Sequence, residues 1–179
     1  NLVVGSSNAQ GQSSYTTVST PAVTGNTLSV QTGLLGLAAN SGYASQNANP
    51  NTANVKVGSF VLQNQSSSET VRVTNLAVAL TVGAGTSLTN FGALKTSENA
   101  SPVQPQATNN FSVDFTIAPN ATKTVDIFAD SGADSGATAT LQSTITVSSI
   151  GVSSNVSATS AATAGQTITF RTGTIATPT

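Results

Sequence analysis

The chain has 179 residues, of which only five are Lys or Arg and six Asp or Glu, and it contains no Cys, Met, Trp or His. Without thiols and imidazoles, zinc, copper, haem and iron–sulfur sites lose their usual ligands, and a Ser–His–Asp triad is excluded. A net charge of −1 offers no basic footprint for nucleic acid. We therefore expect a protein that is not an enzyme, needs no cofactor and binds no nucleic acid.

The polar residues are mostly uncharged, and Ser and Thr together make up about 30% of the chain. The apolar residues are largely β-branched, while Glu, Lys, Arg and Met are rare, which favours strands over helices. No apolar stretch is long enough to predict a membrane span. A surface built from Ser, Thr, Asn and Gln rather than from charge is typical of extracellular structural proteins, so we expect an extracellular or cell-surface location.

Three segments follow one another along the chain. Residues 1–50 are predicted to be an N-terminal strand and linker segment that starts a repeat unit, with a short helical turn near residues 34–39. Residues 51–150 are predicted to form a β-sandwich core. Residues 151–179 form a C-terminal segment that repeats the 19–33 region.

Within the core, two segments alternate with a break in parity. The segment 55–62 changes parity at Gly58, and the segment 71–82 changes parity near Thr74 and Asn75. An extra residue in one strand of a pair shifts the alternation, so Gly58 is a predicted β-bulge, and the break near Thr74 and Asn75 predicts either a bulge or two strands.

A second pair of segments predicts a hairpin. Residues 111–117 alternate strictly between apolar and polar side chains, and so do residues 124–127. The turn at 118–122 contains Pro and Asn, which favour turns. Placing Phe115 opposite Val125 aligns the other apolar positions of the two strands. With a late strand near residues 141–147, these short strands predict an immunoglobulin-like antiparallel β-sandwich.

The two ends of the chain resemble each other. Residues 24–33 (TGNTLSVQTG) and 164–173 (AGQTITFRTG) share Gly, Thr, Thr and Gly at an offset of 140 residues. This predicts one repeat unit plus part of the next, with an end strand available for strand addition to a neighbouring unit. A chance likeness between Thr-rich and Gly-rich strands is the alternative. The candidate assembly residues are Thr27, Leu28, Ser29 and Val30 in the first copy and Thr167, Ile168, Thr169 and Phe170 in the second.

The order of these strand patterns, from Lys56–Phe60 through 111–117 to Ala164–Phe170, resembles the β-sandwich repeats of large surface proteins of Parcubacteria and related candidate-phyla bacteria. The resemblance covers roughly residues 23–173. It implies a secreted structural or adhesive module, and it transfers no functional residue.

Acidic residues are weak candidates for a metal site. Asp114 and Asp126 would face each other in the predicted hairpin, and Asp130 and Asp134 lie in a Gly- and Ser-rich loop. Calcium needs about six oxygen ligands, and the EF-hand spacing is absent. A solvated pair of carboxylates and an Asp-stabilised turn are the simpler interpretations, and we expect no metal site.

Two covalent modifications are compatible with the sequence. Five Asn-x-Ser/Thr sequons occur, which is the number expected by chance, and Asn64, Asn99 and Asn120 are candidate glycosylation sites. An isopeptide bond from Lys56 to an Asn, promoted by Glu69, is a further alternative without a supporting motif.

These patterns predict a structural subunit or repeat of an extracellular filament or cell-surface polymer, assembled head-to-tail by β-strand addition. Its expected partners are copies of itself and, as candidates, glycans. The alternative is an adhesin or carbohydrate-binding β-sandwich module, for which Tyr15 and Tyr43 are the available tyrosines. Whether the units are covalently tandem or assembled from separate subunits stays open, as does the end that donates the strand.

Overall fold

The computed structural model describes residues 35–133 and 139–172, together with the backbone of four two-residue strands within the first 31 residues. The chain divides into two compact units, residues 1–31 and 32–179. The strands are β1 Val3–Val4, β2 Ala9–Gln10, β3 Thr17–Val18, β4 Val23–Thr24, β5 Leu35–Ala39, β6 Gln46–Ala48, β7 Val55–Asn64, β8 Val71–Val82, β9 Phe91–Thr96, β10 Thr108–Ile117, β11 Thr122–Ser131, β12 Thr140–Gly151, β13 Ser157–Thr159 and β14 Thr163–Phe170, with a short 3₁₀ turn at Leu88–Asn90.

The larger unit is a sandwich of two sheets. One sheet has the strand order β5-β7-β11-β9, and the other has the order β10-β8-β12-β14-β6, with β13 added beside β12. Neighbouring strands are antiparallel, except that β6 runs parallel to β14. The predicted fold class, an immunoglobulin-like antiparallel β-sandwich, is confirmed.

The core lies between the sheets and consists of the apolar positions of the alternating patterns. Burial alternates along β12 and β14, so that every second side chain enters the core. The largest fully buried side chains include Phe60, Phe111 and Phe170, each at most 2% exposed. Phe115 is half-buried and packs against the margin of the core.

Both predicted bulges are confirmed. In β7 the pairing with β11 shifts between Gly58 and Lys56, so Val57 is the extra residue. In β8 the pairing with β12 jumps from Asn75 to Val73, so Thr74 is the extra residue. The bulge lets apolar side chains of opposite parity on either side of Thr74 point into the same core.

The predicted hairpin between residues 111–117 and 124–127 is wrong. β10 pairs with β8 in one sheet, whereas β11 pairs with β7 and β9 in the other. The turn is of the predicted kind, because Asn120 has a positive φ of 58°. However, it carries the chain across the sandwich. Two strands that face each other through a core have the same alternation as two neighbours in a sheet.

The sandwich extends beyond residues 51–150 at both ends. Residues 35–39 form strand β5, not the predicted helical turn, and β6 interrupts the loop-like segment 40–54. On the C-terminal side, β13 and β14 complete the larger sheet. Over the described ranges, the structure contains no helix long and apolar enough to cross a membrane.

Candidate functional site

The C-terminal copy of the repeated segment forms β14, the strand that closes the sandwich. β14 pairs with β12 from Thr169 to Thr163, and its last three residues also pair with β6. The candidate assembly residues Thr167, Ile168, Thr169 and Phe170 therefore lie inside a sheet of their own unit. The remaining candidates Thr27, Leu28, Ser29 and Val30 lie outside the described residues.

Two side chains of β14 enter the core. Ile168 is 0% and Phe170 1% exposed, while Thr167 and Thr169 between them are half-buried on the other face. The ring centroid of Phe170 lies 5.2 Å from that of Phe91, in a tilted arrangement. This strand thus supplies two of the fully buried large side chains of the core.

Gly165 allows a close approach between the two sheets. A Cβ at this position would lie 2.6 Å from Cζ of Phe60 and 3.1 Å from the carbonyl oxygen of Ser143. Any side chain here would push the Phe60 ring or the β12 backbone away. The Gly shared by the two repeated segments, Gly25 and Gly165, is therefore a packing requirement in the copy that the structure describes.

Gln166 joins the two sheets through its buried amide. Its Oε1 accepts a hydrogen bond from the backbone N–H of Ser59 at 3.1 Å, and its Nε2 donates to the carbonyl oxygen of Asn40 at 3.0 Å. The corresponding residue of the first copy, Asn26, also carries an amide. We call this side of the sandwich, formed by Gly165, Gln166, Ile168 and Phe170 against residues 40–60, the β14 seam.

The carboxylate of Glu69 binds the loop after β12. The sequence analysis does not predict this contact. Its Oε1 accepts from the backbone N–H groups of Ser153 and Ser154 at 2.9 and 2.6 Å, and its Oε2 accepts from Ser154 Oγ at 3.1 Å. The backbone and side-chain hydrogen bonds from Ser154 are the main reason that the pKa of Glu69 is lowered. Gly151 leaves room for this carboxylate, because a Cβ there would lie 2.6 Å from Oε1.

Lys56 has partners other than the ones predicted for an isopeptide bond. Its Nζ lies 2.8 Å from Oδ2 of Asp126 and 4.9 Å from the ring centroid of Tyr43. Asp126 also accepts a hydrogen bond from Ser59 Oγ at 2.6 Å. Glu69 is engaged with Ser153 and Ser154 instead, so the structure does not bring the predicted acid to Lys56.

The predicted facing of Asp114 and Asp126 is wrong, because their strands belong to different sheets. Asp114 instead forms a two-pronged pair with Arg72, with Nε–Oδ1 and Nη2–Oδ2 distances of 2.6 and 2.9 Å. Arg72 lowers the pKa of Asp114, chiefly through this hydrogen bonding. Both members are exposed, so this pair contributes little to stability.

Of the remaining acidic candidates, Asp130 contacts the backbone of a neighbouring loop. Oδ1 of Asp130 accepts from the backbone N–H of Asn54 at 2.7 Å, which is a loop-fixing contact. Asp134 lies outside the described residues. Within those residues, no three potential Asp or Glu ligands cluster.

The three glycosylation candidates differ in accessibility. Asn64 is fully buried, and its Nδ2 donates to the carbonyl oxygens of Glu69 and Ile117, so the folded unit leaves no room for a glycan there. Nδ2 of Asn99 donates to the carbonyl oxygen of Ser112 at 2.9 Å. Asn120 is exposed at the tip of the crossing turn and stays a candidate.

Comparisons with known proteins give no family for this chain. No protein-family model matches it, and no curated protein matches it. Among solved structures, one described as "Structure of WR4, a C.elegans MSP family member" is similar, with 10% sequence identity and a TM-score of 0.32, covering 77% of this chain and 98% of that chain. This likeness gives no indication of function.

Proposed function

We propose that the protein is a structural unit of an extracellular, cell-surface polymer in which β-sandwiches follow one another head-to-tail and are linked by β-strand addition. One observation carries the proposal. The glycine, amide and apolar positions of the repeated pattern are, in the later copy, Gly165, Gln166, Ile168 and Phe170, which close a sandwich. A second segment with the same Gly, amide and apolar pattern is superfluous in a sandwich that β14 already closes.

The linking strand would act through two kinds of interaction. Its backbone would add to an open sheet edge, as β14 adds to β12. Leu28 and Val30 would enter the neighbour's core as Ile168 and Phe170 do, and fully burying two such side chains stabilises by roughly 3–6 kcal/mol in total. Gly25 and Asn26 would supply the close approach and the bridging amide.

Assembly tests the proposal directly. The full-length chain is incubated at high concentration just below its unfolding temperature, where strands can exchange, beside a chain that begins at Leu35. Light scattering after size exclusion should find head-to-tail oligomers for the full-length chain and only monomers for the shorter one. The same mass distribution for both chains would overturn the proposal.

A matched pair of variants separates specific strand addition from general stickiness. Val30→Asp places a charge at a position that would enter the neighbouring core, whereas Ser29→Asp places it on the outer face of the same strand. The first variant should abolish the oligomers and the second should leave most of them. If both variants lose their oligomers equally, the oligomers form by nonspecific aggregation that depends on the surface charge, and not by strand addition.

The extracellular location is part of the proposal and has its own test. It is supported by the small number of charges and by the abundance of Ser, Thr and Asn. Antibodies raised against the sandwich should label intact source cells. Labelling that requires permeabilised cells would contradict this location.

The alternative function, adhesion through a carbohydrate site, has no comparable support. A sugar-stacking platform needs an exposed aromatic face. The ring of Tyr43 is covered by Lys56, and its hydroxyl donates to the carbonyl oxygen of that residue. Tyr15 lies outside the described residues.

A further inference from the structure

The strand pairs within the first unit, residues 1–31, match the pairing of β12 with β13 and β14 in the sandwich. β2 and β3 pair with Ala9 opposite Val18 and Gln10 opposite Thr17. When 140 is added to each number, these pairs become Ser149 opposite Ala158 and Ile150 opposite Ser157. The structure has both of those pairs between β12 and β13.

The next part of the first unit follows the same register to within one residue. β1 and β4 pair with Val3 opposite Thr24 and Val4 opposite Val23. In the sandwich, Thr144 lies opposite Ala164 and Ile145 opposite Thr163. The offset is again 140 on the β14 side, and 141 on the β12 side. The four described residue pairs of the first unit therefore follow the register of β12 with β13 and β14 to within one residue.

The sequence of the connecting loop agrees with this register. Gly11, Ser13 and Ser14 stand 140 residues before Gly151, Ser153 and Ser154, which form the loop that holds the Glu69 carboxylate. Further along, Ala22 precedes Ala162 by the same distance. The likeness between the two ends thus extends from one strand to a whole hairpin.

We infer that residues 3–33 are the closing hairpin of a further sandwich, and that their partner is the β5–β11 portion of a second copy of this repeat unit. In the described sandwich, the corresponding hairpin lies beside β8 along nearly the full length of β12, and its inner face meets β7. A two-stranded hairpin alone is at best marginally stable in water, so it requires such a partner. The inference rests on the proposed function and identifies the partner of the linking segment.

A segment exchange in the full-length chain tests whether the β5–β11 portion accepts this hairpin. In the exchange variant, residues 151–171 carry the sequence of residues 11–31. A control variant carries residues 12–32 at the same place, which moves every apolar side chain to the opposite face. The exchange variant should keep one cooperative unfolding transition and a dispersed amide NMR spectrum. Its unfolding temperature should fall by roughly 10 °C, because Val30 replaces the larger Phe170. The control should unfold.

A second exchange variant tests whether a failure to fold results only from the smaller volume of the core side chain. It keeps Gln166 and Phe170 of the host and takes all other positions from residues 11–31. If both exchange variants fail to fold, or if the shifted control folds equally well, the inference is wrong. These outcomes are independent of the assembly experiment, which can fail by lack of polymerisation even when the exchange variant folds.

Discussion

The two sides of the sandwich are closed in different ways. On the β14 seam, β14 itself joins the sheets through a buried amide, a glycine and two core side chains, none of which is charged. On the opposite side, where β10 meets the loop after β9, polar side chains cover the strand edges. Asn99 donates to the carbonyl oxygen of Ser112, and Gln104 donates to that of Phe91 at 2.8 Å.

This difference shows which side depends on the strand that closes it. Polar side chains capping backbone groups protect the β10 side against further pairing. The β14 seam instead leaves a large apolar opening whenever its strand is missing, so a matching strand is needed to fill it. The repeated segment has the pattern of the β14 seam and not that of the β10 side.

The largest effect should come from the core side chains of β14. Phe170→Ala removes a buried ring that contacts Phe91, and it should lower the free energy of unfolding by about 3–5 kcal/mol. Thr169→Ala, next to it on the outer face, should cost less than about 1 kcal/mol. Urea unfolding measures both. Similar losses would show that β14 is not anchored through this face.

The next effect should come from the close approach at the β14 seam. Gly165→Ala brings a methyl group to 2.6 Å from the Phe60 ring and should destabilise by about 1–3 kcal/mol. Gly92→Ala on β9 is the matched control, because a Cβ there meets nothing within 4 Å. A tolerated Gly165→Ala in thermal unfolding would mean that this glycine is not a packing requirement.

A smaller loss is expected from the bridging amide. Gln166→Leu leaves the buried N–H of Ser59 without its partner and removes one of the two hydrogen bonds that the carbonyl oxygen of Asn40 accepts, which should cost about 1–3 kcal/mol. Gln104→Leu on the β10 side removes one hydrogen bond of a side-chain amide, and its exposed position lets water replace that bond. Equal effects of the two substitutions on the urea midpoint would contradict the difference proposed between the β14 seam and the β10 side.

Acid should weaken the contact between Glu69 and the loop after β12. The pKa of Glu69 is lowered in the folded unit from its ordinary value of 4.5, so its contribution is present above that value and is lost as the pH falls through the folded pKa. Glu69→Gln should therefore reduce the loss of stability on acidification below about pH 4.5. The pH dependence of stability in Asp114→Asn serves as the comparison, because Asp114 belongs to an exposed ion pair that contributes little to stability. An unchanged pH profile in Glu69→Gln would contradict this role.

The smallest effect should follow from breaking the exposed pair of Arg72 and Asp114. Arg72→Ala removes a two-pronged hydrogen bond that solvent and salt screen on the outer face of β8 and β10. Its unfolding midpoint should stay close to that of the unchanged chain. A loss comparable to that of Gln166→Leu would show that the outer face matters as much as the β14 seam.

Local patterns in the sequence predict the faces of strands but not their neighbours. The bulges at Gly58 and Thr74 could be predicted because an inserted residue reverses the alternation. The hairpin of residues 111–117 with 124–127 could not be distinguished from a crossing between sheets, since both bury the same face. The contact of Glu69 with Ser153 and Ser154 was missed, because these partners lie 84 and 85 residues away and bind chiefly through backbone N–H groups, which leave no side-chain pattern.

A chain that ends at Ala139 offers the most direct test of strand addition between units. Its sandwich lacks β12, β13 and β14, while its N-terminal segment is kept. Phe170 lies at the end of the sandwich where β12 begins, since its N–H donates to the carbonyl oxygen of Ala139. Leu35 pairs with Asn64 at the other end, near the Glu69 contact.

Within one chain, Val30 cannot reach the place that Phe170 occupies. The two ends of the sandwich are roughly 35 Å apart, which is the length of the twelve-residue strand β12. The connection from residue 30 to residue 35 spans at most about 18 Å. The place of Phe170 can therefore be taken by Val30 only from another molecule, and light scattering should find head-to-tail polymers that Val30→Asp abolishes and Ser29→Asp preserves. A chain that stays monomeric at all concentrations, or polymers unaffected by Val30→Asp, would contradict the account.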